Sequence, residues 1–179
     1  MVFKIIVLVL FALSTAFKIF LYLLKYKSRN NKIPDVLSDV YDQDTYYKWK
    51  KYQAELVRSG IIFTLIGFVI DFTLLITNVY SIVANNVMDN VFVQVTTVMG
   101  ISIGIGFIID GIREYINTMI IEEKYGFNKT ILKTFIADQI KSLLISSVLL
   151  IGLISLFGII YDSMQDWVLL LFTGIAAIL

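Results

Sequence analysis

Five apolar runs, separated by short charged stretches, decide most of what this chain can fold into. They lie at about 5–24, 60–83, 91–112, 142–161 and 163–179. A helix needs roughly 20 apolar residues to cross about 30 Å of hydrocarbon, and the first four runs are long enough. The fifth holds 13 residues counted from Trp167, or 17 from Ser163, and is still apolar at Leu179. The fold class expected is therefore all-α: a polytopic membrane protein with about five transmembrane helices and extended cytoplasmic helical loops. A carboxylate at Leu179 would sit in the bilayer or barely beyond it, and charge at that depth costs at least a few kcal/mol. Residues 1–179 are thus expected to be the N-terminal portion of a longer polypeptide. The alternative is a short tilted last helix that thins the membrane.

The first run is too long for the apolar core of a signal peptide, and no A-x-A cleavage site follows it, so it reads as an uncleaved helix. Lys18 interrupts it and can snorkel toward the interface marked by Lys25. The loop 25–58 carries eight Lys and Arg residues, and the loop 113–141 carries five, Arg113, Lys124, Lys129, Lys133 and Lys141. Residues 84–90 and 162–166 carry none. Positive charge stays in the cytoplasm, which places both basic loops inside and the N-terminus outside. Lys4 is a minor dissent on the outer side. The membrane itself could be a bacterial plasma membrane or the endoplasmic reticulum.

Several function classes close on composition. A net charge of +1 gives no electrostatic case for nucleic acid. The absence of Cys and His removes thiolate chemistry, a Ser-His-Asp triad and any His-based zinc site. No cofactor and no catalytic or metal-ligating residue is assigned to this chain.

The first loop holds Tyr41, Tyr46, Tyr47, Trp49 and Tyr52, an interfacial belt by its composition. Asp42 or Asp44 can cap a helix there. Neither Pro nor Gly occurs from Thr45 to Gly60, so the second helix is expected to begin well outside the membrane and run to about Val83. The most polar piece of the chain is "IEEKYGFNKTILKTFIADQIKS", residues 121–142. Glu122, Glu123 and Lys124 would end an extension of the third helix, and Gly126 suits the left-handed position after a helix. Asn128 or Thr130 would cap the next helix. Beyond it, Ile131, Leu132, Phe135, Ile136, Ile140 and Leu143 recur at helical spacing. The stretch is a helix–turn–amphipathic-helix elbow.

This elbow resembles the segment between the third and fourth membrane helices of the type I CAAX prenyl proteases, integral-membrane zinc metallopeptidases. Their pattern reads roughly I-E-x-x-[FY]-G-F-N-x-x-T, then F-x-x-D-x-x-K. The matching residues are Ile121, Glu122, Tyr125, Gly126, Phe127, Asn128, Phe135, Asp138 and Lys141. Ile131 departs from it, standing where a second Thr is common. The Pro34-led, Tyr-rich first loop is similar as well, and the match extends over roughly residues 20–165. The resemblance implies an H-E-x-x-H helix on the cytoplasmic side, beyond Leu179, where two His and a distant Glu hold zinc and the motif Glu activates water. It implies for this chain a non-catalytic role as chamber wall and platform. The partners implied are the bilayer, a C-terminal catalytic domain, and a prenylated or other membrane-associated peptide.

Two carboxylates fall within or near the membrane. Asp71 is in the middle of the second run and Asp110 is near the inner end of the third. Both are candidates to line a polar cavity, since an ionised Asp facing lipid costs roughly 2.5–3.5 kcal/mol on insertion scales. The plain alternative for Asp71 is a hydrogen bond across helices to Thr73, Thr77, Gln94, Thr96 or Ser102. Asp110 also reads as an interfacial group paired with Arg113 or with a basic loop residue. Gly100 and Gly104 form a G-x-x-x-G spacing that allows close helix packing. No Lys-Ser/Thr follows, so the glycines are not a phosphate loop. Two other functions fit the same features: a stand-alone membrane protein binding lipidated peptides or partner proteins, and a small transporter using Asp71.

Overall fold

The computed structural model describes residues 2–28 and 42–164. The order is α1 (Val2–Ser28), α2 (Gln43–Ile76), α3 (Val79–Asn86), α4 (Val91–Tyr115), a π-helical stretch (Ile116–Glu122), α5 (Glu123–Tyr125) and α6 (Leu132–Met164). No strand occurs among the described residues. Four helices are long and apolar enough to cross a membrane: Lys4–Ser28, Gln43–Ile76, Val91–Tyr125 and Leu132–Leu156. They correspond to the first four apolar runs. The fifth lies outside the described residues, apart from Ser163 and Met164 at the end of α6, as does the loop around Pro34.

Helix α2 has 34 residues, about 51 Å at 1.5 Å per residue, which is far more than the hydrocarbon requires. The excess is at its N-terminal end. Residues 43–59 carry Asp44, Lys48, Lys50, Lys51, Glu55 and Arg58, whereas 60–76 carry only Asp71. The spanning part is therefore 60–76, about 25 Å long, and 43–59 stand outside it. Of the two candidate caps, Asp42 fills the role. Its carboxylate accepts from the Asp44 and Thr45 amides at 2.7 and 3.1 Å and from the Thr45 hydroxyl. Those bonds, the hydroxyl's first, hold the Asp42 carboxyl below the ordinary range.

The second span does not continue to Val83. It stops at Ile76, and Asn78 takes a left-handed backbone with φ 58°, a conformation Asn tolerates better than most residues. Lys4 accounts for the break and for its own position. Its Nζ donates to the Ile76 carbonyl and to Asn78 Oδ1, both at 2.8 Å. A cation at a helix C-terminus meets free carbonyls and the negative end of the helix dipole. The charge that dissented from the loop pattern is a helix cap.

Helix α4 starts at Asn90, whose Oδ1 accepts from the Val93 amide at 3.2 Å. It runs without interruption through the π-helical stretch to Tyr125. Helix α1 packs along α2, and α4 packs on α2 and α6. Phe11 stacks on Phe68 at 5.4 Å between ring centroids. The tightest glycine contact among the described residues falls at Gly60, where a Cβ would stand 2.6 Å from the Tyr22 ring. At Gly100 and Gly104 a Cβ would meet nothing within 4 Å. The G-x-x-x-G pair is thus not a packing seam among the described residues; the glycine that admits a neighbour is Gly60.

The buried residues are unevenly placed. Ala54, Val57, Ser59, Ile121 and Tyr125 are buried where the α2 extension meets the end of the α4 rod. Along the spans, large apolar side chains such as Leu13, Phe17, Val69, Ile108 and Val148 stay exposed. This is the surface a bilayer covers, since lipid tails solvate leucine as well as another helix does.

Candidate functional site

The elbow takes its shape from a glycine turn. Gly126 has φ 70°, open to glycine without a Cβ penalty. Its amide donates to the Glu123 carbonyl at 3.0 Å, and the Phe127 amide donates to the Glu122 carbonyl at 2.9 Å. This nested pair is the Schellman arrangement that closes a helix. Asn128 does not cap α6, which begins later, at Leu132. Its Oδ1 accepts from the Thr130 amide at 2.7 Å. Its Nδ2 donates to the Thr130 carbonyl at 3.1 Å and to Glu123 Oε2 at 3.0 Å. Asn128 thus folds the turn on itself by a local Asx bond and ties it back to α5.

The turn is then fastened to the α2 extension. The Tyr52 hydroxyl donates to Glu122 Oε1 at 3.1 Å. Lys124 Nζ and the Tyr125 hydroxyl both donate to Glu55 Oε1, at 2.6 and 3.0 Å. Ser59 Oγ donates to Asn117 Oδ1 at 2.7 Å. The Tyr52 ring meets those of Phe127 and Tyr125 edge-on, at 5.0 and 5.7 Å, and Lys48 Nζ lies 5.5 Å from the Phe127 centroid. The hydrogen bond from Lys124 lowers the Glu55 carboxyl below its usual range, against the smaller effect of burial. The same bond raises Lys124. The described parts of the two basic loops, residues 43–59 and 117–128, therefore meet at one end of the bundle, and Lys4 with Asn78 lies at the other.

Tyr52, Glu55 and Ser59 were missed as partners of the elbow. Their spacing, i, i+3 and i+7, places them on one helical face, which was a readable signal, but nothing local says what that face meets. Asp138 stays apart from the cluster. It pairs with Lys141 at 3.5 Å across one turn of α6, with both side chains exposed.

The two membrane carboxylates separate. Asp110 pairs with Arg113 at 3.4 Å and lines a groove of about 650 Å³ between α4 and α6. Ser102, Arg113, Glu114, Gln139 and Ser146 share that groove. Asp71 is half-buried, and the hydroxyls expected as its partners bond elsewhere. Thr73, Thr77 and Ser102 each donate to a carbonyl of their own helix, and the buried Thr96 hydroxyl has no partner among the described residues.

Among the described residues no three His, Cys, Asp or Glu side chains converge to hold a metal, and the sequence has neither His nor Cys.

The fold and the braced elbow define a multi-pass α-helical integral membrane protein whose helices are tied together on one face. Residues 22–179 match the family described as CAAX prenyl protease N-terminal, five membrane helices, and the chain belongs to that family. CAAX prenyl protease 1 of Saccharomyces cerevisiae is 27% identical over an alignment of 169 residues that covers 86% of this chain and 37% of that protein. The crystal structure of S. mikatae Ste24p superposes with a TM-score of 0.75 at 23% identity, over 98% of this chain and 44% of that one. The chain thus spans less than half the length of the proteins it matches, and the structural likeness extends to the fold.

Proposed function

We propose that this chain forms part of the wall of the membrane chamber of a zinc metalloendopeptidase and carries no catalytic group itself. In this reading zinc and the H-E-x-x-H helix belong to a C-terminal part that the elbow supports. The substrate is a prenylated or other membrane-associated peptide, and the basic loops face the cytoplasm.

The observation that carries the reading is the groove between α4 and α6. Ser102, Asp110, Arg113, Gln139 and Ser146 line it, and groups of this kind do not face hydrocarbon without cost. Ser102 stands eight residues, about 12 Å, deeper than Asp110 along α4. Ser102 and Ser146 line the same groove as Asp110, Arg113 and Glu114, and it is those charged groups that call for water or polar substrate beside them.

The chain has no cysteine, so single-cysteine labelling has no background. Ser102→Cys and Ser146→Cys should react with a charged, membrane-impermeant thiol reagent in reconstituted vesicles. Ile108→Cys and Val148→Cys, at positions 62% and 69% exposed on the apolar surface, should stay unreacted. Equal protection of all four would end the chamber reading. Sequencing the reading frame past codon 179 tests the peptidase itself. An in-frame H-E-x-x-H with chelator-sensitive cleavage of a prenylated peptide supports it, and a stop codon there overturns it.

A further inference from the structure

We propose that the groove between α4 and α6 selects a peptide carrying a lysine or arginine, with Glu114 as the group that receives its charge. The inference rests on the chamber reading above and adds the chemistry of the occupant. Three charged side chains line the groove, Asp110, Arg113 and Glu114, two carboxylates and one guanidinium that sum to −1. Arg113 is paired with Asp110 at 3.4 Å. Glu114 makes no hydrogen bond or ion pair among the described residues. Lys141, the cation beside Ser142 on α6, is paired with Asp138 at 3.5 Å, and those two charges also sum to zero. Glu114 is half-buried. In such a place an opposite charge brought alongside is worth more than it is in open water.

The rest of the lining suits a peptide. Gln139, Ser142 and Ser146 also line the groove and recur at i, i+3 and i+7, on one face of α6. None of the three has a hydrogen-bond partner among the described residues. A carboxamide and two hydroxyls are thus free to serve backbone N–H and C=O groups. On α4, a Cβ at Gly106 would meet nothing within 4 Å, so that wall is open to a neighbouring chain. Glu114 stands 12 residues, about 18 Å, from Ser102 along α4, room for about five residues of extended chain. A metal ion would find one free carboxylate, too few oxygen ligands to replace its water. A phosphate would meet a net negative lining.

The test uses two thiosulfonate reagents that share a reactive group and differ in charge, one ending in trimethylammonium and one in sulfonate. Ser142→Cys in the reconstituted chain is labelled with each, and the ratio of rates is divided by that of a free thiol in solution. The cationic reagent should be favoured on the order of tenfold, the ratio that a unit charge about 6 Å away through water gives between ions of opposite sign. Glu114→Gln should remove most of that preference, and Glu114→Asp, which keeps the charge, should retain it. A lipid-anchored peptide with one lysine should then protect the thiol at a concentration about fivefold lower than the same peptide with glutamine. Glu114→Gln should abolish that difference; circular dichroism checks the fold of each variant. Four results would overturn the proposal: both reagents reacting at the free-thiol ratio, a preference that survives Glu114→Gln, equal protection by the two peptides, or protection by neither. If neither reagent reacts at position 142, the chamber reading fails with it; reaction at the free-thiol ratio ends this inference alone.

Discussion

Replacing Gly60 by alanine places a Cβ 2.6 Å from Cε1 and Cζ of Tyr22 and 2.9 Å from its hydroxyl. Such distances cannot persist, so either the ring swings away or α1 moves from α2. Overpacking of this kind costs about 1–3 kcal/mol. Alanine returns up to about 1 kcal/mol as the better helix former, so the expected net loss is about 0–3 kcal/mol. A small net value can hide a large clash, and a double-mutant cycle separates the two. In a Tyr22→Ala background the ring is gone, only the propensity gain remains, and Gly60→Ala should be neutral or stabilising. The coupling between the substitutions should then be about 1–3 kcal/mol. Unfolding in mixed micelles of rising dodecyl sulfate fraction, followed by far-ultraviolet circular dichroism, gives all four corners. A coupling below about 0.5 kcal/mol, the scatter expected of independent sites, would refute the claim that Tyr22 packs on Gly60.

Gly126 makes a different demand. A Cβ there would meet only Lys48 Nζ, at 3.9 Å, so the constraint is its φ of 70°. Gly126→Ala should lose about 1–2 kcal/mol in the same assay and Gly126→Asn clearly less; if Asn proves as damaging as Ala, the left-handed turn is not the reason for the glycine. Glu55 should give a pH signature. Its folded carboxyl lies below the ordinary 4.5, so it contributes stability above that pH and loses it as pH falls through the folded value. Lys124, raised above 10.5, loses its share as pH rises through its folded value. Glu55→Gln should flatten the acid side of the stability profile relative to wild type; an unchanged acid slope would show that the contact to Lys124 contributes nothing.

The existence of the first four spans was legible because length and apolarity alone decide it. So were the helix start at Asp42 and the stop at Gly126, where one side chain or one missing Cβ does the work. The break after Ile76 was not legible. Thr77, Asn78 and Val79 are all compatible with a helix, and the group that stabilises the break is Lys4, more than seventy residues earlier. The faces of the membrane helices were also hidden. In lipid both the packed and the exposed face of a helix are apolar, so periodicity does not separate them as it does in water. That is why the contact at Gly60 could not be read from the sequence. At the elbow, the turn could be read locally from Gly126 and Asn128. Its anchors on α2 arise from tertiary packing alone.

The seven residues Ile116–Glu122 are wound as a π-helix, in which each turn holds about one residue more than an α-helix. One residue is worth 100° of rotation in an α-helix, so this stretch resets the phase between membrane rod and elbow. Without the surplus, Lys124 and Tyr125 would be carried about a quarter of a turn away from Glu55. Losing Thr118 or Ile120, which make none of the elbow's bonds described above, would therefore leave both halves intact and misaligned, as when a threaded joint is cut short.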